Sequence, residues 1–200
     1  MSIYALKPKF QALLRPLATL LARIGITANQ VTLAAAVGSV ALGFFVAWRL
    51  PERWPFLLIP LWVFVRMAFN ALDGMLAREF GQKSRLGAYL NELTDVVSDA
   101  ALYLPFAFVA PFSPLWTGVV IVLAVISEFA GALGPTVGAT RRYDGPMGKS
   151  DRAFAFGALG LWAGLTDALP TWLAYLMPLL AFLLILTIVN RVRRGLAELS

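Results

Sequence analysis

The chain has 200 residues, 60% of them hydrophobic and only 14% charged, with 17 Lys and Arg against 11 Asp and Glu for a net charge of +6. That length is room for one domain, and the composition excludes both an ordinary soluble globule, where charged residues run near a quarter, and a disordered chain, which needs low hydrophobicity and high charge. With no cysteine and no histidine, disulfides, thiolate sites, the common zinc sites and imidazole acid–base chemistry are excluded, leaving carboxylates, hydroxyls, Lys, Arg or a hard metal bound through oxygen.

The first element is an amphipathic helix over about 8–25. Phe10, Leu13, Leu14, Leu17, Leu20, Leu21 and Ile24 recur at helical spacing between Lys7, Lys9, Arg15 and Arg23, the pattern of a helix lying in a membrane interface. A leader sequence is the competing reading, but the cations are interleaved with the apolar residues and no small-residue cleavage site follows. Gly25 ends the helix, and Thr27 with Gln30 has capping-box spacing for the next one.

Six membrane-spanning helices are then expected at about 29–48, 54–79, 86–111, 114–140, 149–167 and 171–192, within a single domain covering 1–200. The fifth is the shortest: its uncharged stretch from Ala153 to Thr166 is too brief to span alone. Cation placement tests the count independently. With the N-terminus inside, 14 Lys and Arg fall on cytoplasmic segments and only Arg49 and Arg53 on outer loops, with Arg66 inside a helix. The fold class is therefore an all-α integral membrane protein with both termini cytoplasmic, in the bacterial inner membrane. The positive charge is assigned to anionic lipid headgroups, not to nucleic acid.

Ionisable groups at membrane depth are costly and are functional candidates by default. Asn70 and Asp73 lie three apart on the second span, and Asn91, Asp95 and Asp99 four apart on the third, so each set shares a face. Joined by a short turn around Phe80 to Arg85, the two helices run antiparallel and can turn these oxygens toward one another. Carboxylate and amide oxygens suit Mg²⁺, Mn²⁺ or Ca²⁺. Gly74 leaves room for a ligand against the helix backbone, and Arg78 one turn on can hold a phosphate.

These residues carry a resemblance. Asp73, Gly74, Ala77, Arg78, Gly87 and Asp95 fall on the pattern D-x2-D-G-x2-A-R-x8-G-x3-D-x3-D with its eight-residue spacer intact, and Ile26-Thr-Ala-Asn-Gln-Val-Thr32 is similar to the I-T-P-N-x-x-T that precedes the first span in the same family. The chain resembles the CDP-alcohol phosphotransferases, also called CDP-alcohol phosphatidyltransferases. The resemblance implies transfer of a phosphate-linked alcohol from CDP-diacylglycerol or a related CDP-alcohol to a second alcohol, with release of CMP, one or two Mg²⁺ or Mn²⁺ ions, a cytoplasmic site and a homodimer. It also implies that Asp73 and Asp95 are metal ligands, that Asp95 is the base for the acceptor hydroxyl, and that Asn29, Thr32, Asp73, Gly74, Arg78 and Ser84 contact the donor.

Two departures stand out: the first and third acidic positions are Asn70 and Asn91. Three readings stay open, namely a weaker second metal, replacement of the missing charge by Asp99, Glu92 or Glu128, or a relative that binds CDP-lipid without turning it over. Glu92 points away from the Asn91 face and invites pairing with Arg66. Arg141, Lys149 and Arg152, in the basic loop before the fifth span, are the candidate acceptor contacts, the acceptor being phosphorylated or neutral. Gly157, Gly160 and Gly164 offer a close-packing face, between subunits or within one. A small transporter is the rival from another class, but its polar residues would be spread through the membrane thickness.

Overall fold

The computed structural model describes residues 6–199. Met1 to Ala5, Ser200 and the Lys7 side chain, parts of the expected domain and its basic flank, lie outside the described residues. Among these the regular structure is all helical: α1 (Leu6–Arg23), α2 (Ala28–Trp48), α3 (Leu58–Glu79), α4 (Arg85–Tyr103), α5 (Pro114–Ala132), α6 (Lys149–Leu165) and α7 (Leu176–Ala197), with 3₁₀ turns at Trp54–Leu57, Leu104–Phe108, Gly134–Val137 and Thr171–Tyr175.

The outward faces are apolar, with Val37, Phe44, Leu61, Phe64, Leu115 and Phe182 exposed, whereas Ser39, Arg66, Asp73, Asp99, Glu128, Arg152 and Arg191 are buried. This inversion of the soluble pattern is what a hydrocarbon solvent selects, because unpaired polar groups facing lipid cost several kcal/mol each. Four stretches are long and apolar enough to cross a membrane: Ala28–Trp48, Trp54–Glu79, Pro114–Ala132 and Thr171–Ala197. The six expected therefore include two, α4 and α6, that length and composition do not single out. Helix α4 carries Glu92, Asp95 and Asp99, and α6 has 17 residues and opens on Lys149, Asp151 and Arg152.

Local chemistry explains most helix boundaries. The expected capping box forms: Gln30 N–H donates to Thr27 Oγ1 at 3.2 Å, and Thr27 N–H to Gln30 Oε1 at 2.8 Å. Ser84 caps α4 by accepting from Gly87 N–H at 2.9 Å, and Asp151 accepts from Gly148 N–H at 2.9 Å at the start of α6. The fourth expected span, drawn to 140, ends instead at Ala132. The chain doubles back there, with Arg142 N–H donating to Gly131 O at 3.1 Å and Ala139 N–H to Gly134 O at 3.0 Å. A Cβ on Gly131 would lie 2.5 Å from Arg142 O, so only glycine permits the approach.

Helix α2 packs between α3 and α4, α5 against α7, and α3 against α6. The larger apolar core fills one half of the bundle around Phe56, Ile59, Tyr103, Phe106, Phe156 and Met177, where the Tyr103 and Phe156 rings stack at 3.7 Å. At the opposite end, α1 lies on α3 through Ala18, Leu72, Met75 and Leu76 and is pinned by Arg15 to Glu79 at 2.7 Å. The glycine face of α6 is used within the subunit. A Cβ on Gly160 would sit 3.0 Å from Phe56 O, and one on Gly164 2.6 Å from the Leu57 side chain.

Candidate active site

The site forms where the α3–α4 hairpin meets the first turn of α2. Gly81, at φ +70, supplies the left-handed residue that lets α3 stop and reverse. Gln82 then reaches back, its Oε1 accepting from Ala28 N–H at 2.7 Å, so the loop satisfies a free donor at the start of α2. This places Asn29 beside Ser84, Nδ2 to Oγ at 3.5 Å. A Cβ on Gly87 would lie 2.8 Å from Asn29 Oδ1, which explains a glycine at that point in the spacing.

One turn further along α2, Thr32 Oγ1 reaches the buried Asp73 carboxylate at 2.9 Å and also its own Ala28 carbonyl at 3.0 Å. A hydroxyl has one proton, so the two acceptors share it. The space left by the missing Gly74 side chain is filled by the guanidinium of Arg78, with Nη2 2.8 Å from where a Cβ would stand. Asn29, Thr32, Asp73, Gly74, Arg78 and Ser84 thus come together on one wall formed by α2, α3 and the start of α4.

A second group of site residues is ionic. Lys149 Nζ is paired with Asp95 Oδ2, and Arg66 bonds Asp95 Oδ1 at 3.1 Å and the Asp95 backbone carbonyl at 3.1 Å. Arg66 also meets Asp99 Oδ1 at 2.5 Å, while Arg152 takes Asp99 Oδ2 at 3.0 Å and Glu128 Oε1 at 3.0 Å. Arg191 joins Glu128 at 3.4 Å and pairs with the Ser127 carbonyl. Arg141 holds Glu92 through Nε at 2.6 Å and Glu128 at 3.4 Å. Four carboxylates and five cations therefore form one continuous chain across α3, α4, α5, the following loop, α6 and α7.

Several expectations shift accordingly. Glu92 pairs with Arg141 and not with Arg66, because Arg66 projects onto the Asp95 and Asp99 face of α4 while Glu92 points toward the loop after α5. Arg152 is 2% exposed and is turned inward, so it meets no ligand from the loop surface without leaving Asp99 and Glu128. Arg66 and Arg191 were not among the sequence candidates. Arg66 was visible as the lone cation within a span; Arg191 was masked by the basic end of α7.

The chain has counterparts among known proteins in sequence and in fold. The sequence model of the CDP-alcohol phosphatidyltransferases matches residues 25–192. The chain belongs to this family. It is 44% identical over 193 residues to the Inner membrane protein YnbA of Escherichia coli (strain K12), covering 96% of each chain, a name that gives a location and no activity. It is 33% identical over 135 residues to the phosphatidylinositol phosphate synthase of Streptomyces avermitilis, covering 66% of this chain and 51% of that one. The crystal structure of Mycobacterium tuberculosis phosphatidylinositol phosphate synthase with CDP-DAG bound superposes with a TM-score of 0.68 at 26% identity, over 90% of this chain and 92% of that one. The complex of that enzyme with manganese and citrate gives a TM-score of 0.71 at 25% identity, over 90% and 87%. The chain is accordingly a membrane-bound transferase of phospholipid biosynthesis, in a family that uses divalent metals.

Few side chains of this CDP-alcohol phosphatidyltransferase are free to hold such an ion. No three acidic side chains converge to hold a metal among the described residues. Asp95 and Asp99 are each neutralised by two cationic side chains, Asn91 is exposed, and Asn70 offers only an amide oxygen. Asp73 alone of the three aspartates has no ion-pair partner among the described residues, and it is itself part of the wall formed with Thr32.

Proposed function

We propose that this protein transfers a phosphatidyl or similar phospho-alcohol group from a CDP-linked lipid, CDP-diacylglycerol first, to an alcohol acceptor, releasing CMP at the cytoplasmic face of the bacterial inner membrane. The observation that carries the reading is the wall of Asn29, Thr32, Asp73, Gly74, Arg78 and Ser84, with Asp95 further along α4, the helix that Ser84 caps. All six spans of α2 to α7 cross the bilayer in this reading, with both termini inside, because the alternation of the helices collects the basic segments at the site end. Helix α1 lies in the interface, its exposed Leu13, Leu17, Leu20 and Ile24 turned to lipid. The homodimer rests on family resemblance, since the α6 glycines already serve packing within the subunit.

Arg78 and the Asn29–Ser84 pair hold the nucleotide phosphates, and Thr32 fixes the rotamer of Asp73. A Mg²⁺ or Mn²⁺ ion bound at Asp73, with Asn70 contributing an amide oxygen, would neutralise charge on the pyrophosphate. The acceptor oxygen attacks the phosphorus that bears the lipid; its proton passes to Asp95, and the bond to CMP breaks. The acyl chains stay in the bilayer throughout, which accounts for a site built at membrane depth. Lys149, with 32% of its side chain exposed, and Arg141 are the cations nearest an incoming acceptor. The phosphatidylinositol phosphate synthases among the relatives favour a phosphorylated polyol over a neutral alcohol.

The test is incubation of purified protein with radiolabelled CDP-diacylglycerol, Mn²⁺ or Mg²⁺, and inositol phosphate, glycerol phosphate and neutral alcohols, following CMP and lipid product. A second reading, donor binding without turnover, is favoured by the two amides and by the ion pairs on Asp95. Saturable CDP-diacylglycerol binding with no CMP from any acceptor would select it.

A further inference from the structure

Both oxygens of Asp95 are already occupied by this chain's own cations: Oδ2 by Lys149 and Oδ1 by Arg66. At two other positions of the same acidic motif the charge is absent, since Asn70 and Asn91 carry amides. The two features are complementary. A pair of divalent ions brings four positive charges and needs several carboxylates to hold it, whereas this site supplies fewer acids and a fixed ammonium. Lys149 owes its place to the first turn of α6, where Asp151 caps the helix and Arg152 anchors it to Asp99 and Glu128, so the ammonium is delivered to Asp95 by a rigid element.

We infer that Lys149 is the built-in counter-charge of Asp95, standing where a second divalent cation would otherwise be held, so that this protein takes at most one such ion per chain. Lys149 is thereby a positioning residue for Asp95. The ammonium lowers the negative potential at the carboxylate and blocks Oδ2 from coordinating metal, while Arg66 keeps Oδ1 and the backbone carbonyl in place. The inference uses the proposed reaction only to say why charge is needed there; the number of ions bound is independent of turnover.

The experiment counts bound Mn²⁺ by electron paramagnetic resonance of the free ion, with detergent-purified protein and CDP-diacylglycerol present. Wild type is expected to bind no more than one Mn²⁺ per chain. Lys149→Ala is expected to bind one more than wild type, or to bind its ion about tenfold more tightly, through loss of a neighbouring positive charge. Lys149→Arg, which keeps the charge, is expected to match wild type. Two ions bound to wild type would overturn the inference without any variant being made, as would a Lys149→Ala protein with wild-type stoichiometry and affinity and an unchanged thermal unfolding profile. CMP release measured in the same samples reports separately on the proposed reaction.

Discussion

Arg66 on α3 and Asp99 on α4 meet at 2.5 Å inside the bundle, both almost fully buried. Asp99 also accepts from Arg152 on α6 at 3.0 Å, so one carboxylate joins three helices. Removing one member of a buried pair leaves the others desolvated and uncompensated, at a cost of about 3–5 kcal/mol. Asp99→Ala is therefore expected to lower the thermal unfolding midpoint in detergent markedly, and Arg152→Ala to do the same. An Asp99→Ala protein that melts like wild type but has lost metal affinity would instead make Asp99 a ligand replacing Asn91.

Asp95→Asn is expected to abolish CMP release while leaving CDP-diacylglycerol binding measurable. The amide keeps much of the shape and an acceptor oxygen for Arg66 but takes no proton. A positioned base contributes ~10²–10⁴-fold, so turnover above about a tenth of wild type would remove Asp95 from that role.

Thr32→Val deletes the hydroxyl that reaches Asp73 at 2.9 Å without changing the size of the side chain much. Hydrogen bonds to charged groups contribute about 1.5–3 kcal/mol, so apparent donor affinity is expected to fall about tenfold or more. Thr32→Ser should restore it. A Val variant with unchanged donor KM would place Thr32 outside the donor wall.

The loop before α6 is clasped to the end of α7. Glu198 accepts from Thr140 N–H at 3.1 Å and from Arg142 at 2.8 Å, and Asp144 from Arg142 at 2.8 Å and Arg194 at 3.1 Å. The Thr140 hydrogen bonds, then Arg142, hold the Glu198 carboxyl below its ordinary value. Desolvation pushes Asp144 upward, but Arg142 and Arg194 together outweigh it and leave it low. Carboxyls with lowered folded values stabilise the clasp above their unfolded pKa, about 4, and lose that contribution as pH falls through the folded value. Limited proteolysis of the loop is expected to accelerate as pH falls below about 4 and to be faster at pH 7 in Glu198→Gln than in wild type. Equal rates for the two proteins at pH 7 would show that the clasp does not hold the loop.

Much of this was legible in the linear chain because the relevant physics is local. Asp73, Gly74, Ala77 and Arg78 sit at helical spacings that share a face whatever surrounds them, and the Thr27–Gln30 box closes within one turn. The apolar runs mark four segments long and apolar enough to cross a membrane because hydrocarbon acts on composition. The pairing of charges was not legible. Lys149 and Asp95, or Arg141 and Glu92, meet only after α4, α6 and the loop after α5 have taken definite rotations about their axes. Glu92 and Asp95 are three residues apart and lie only about 60° from each other around α4, so a rotation of that size would exchange them as the carboxylate facing the site. The same holds for Gly160 and Gly164, whose bare surfaces suit a neighbouring subunit as well as Phe56 and Leu57 until α6 is docked on α3. Composition and spacing thus determined the family, the solvent and the motif shared by α3 and α4. Helix packing alone decided which cation neutralises which acid, because Coulomb energy depends on distances between side chains far apart in the chain.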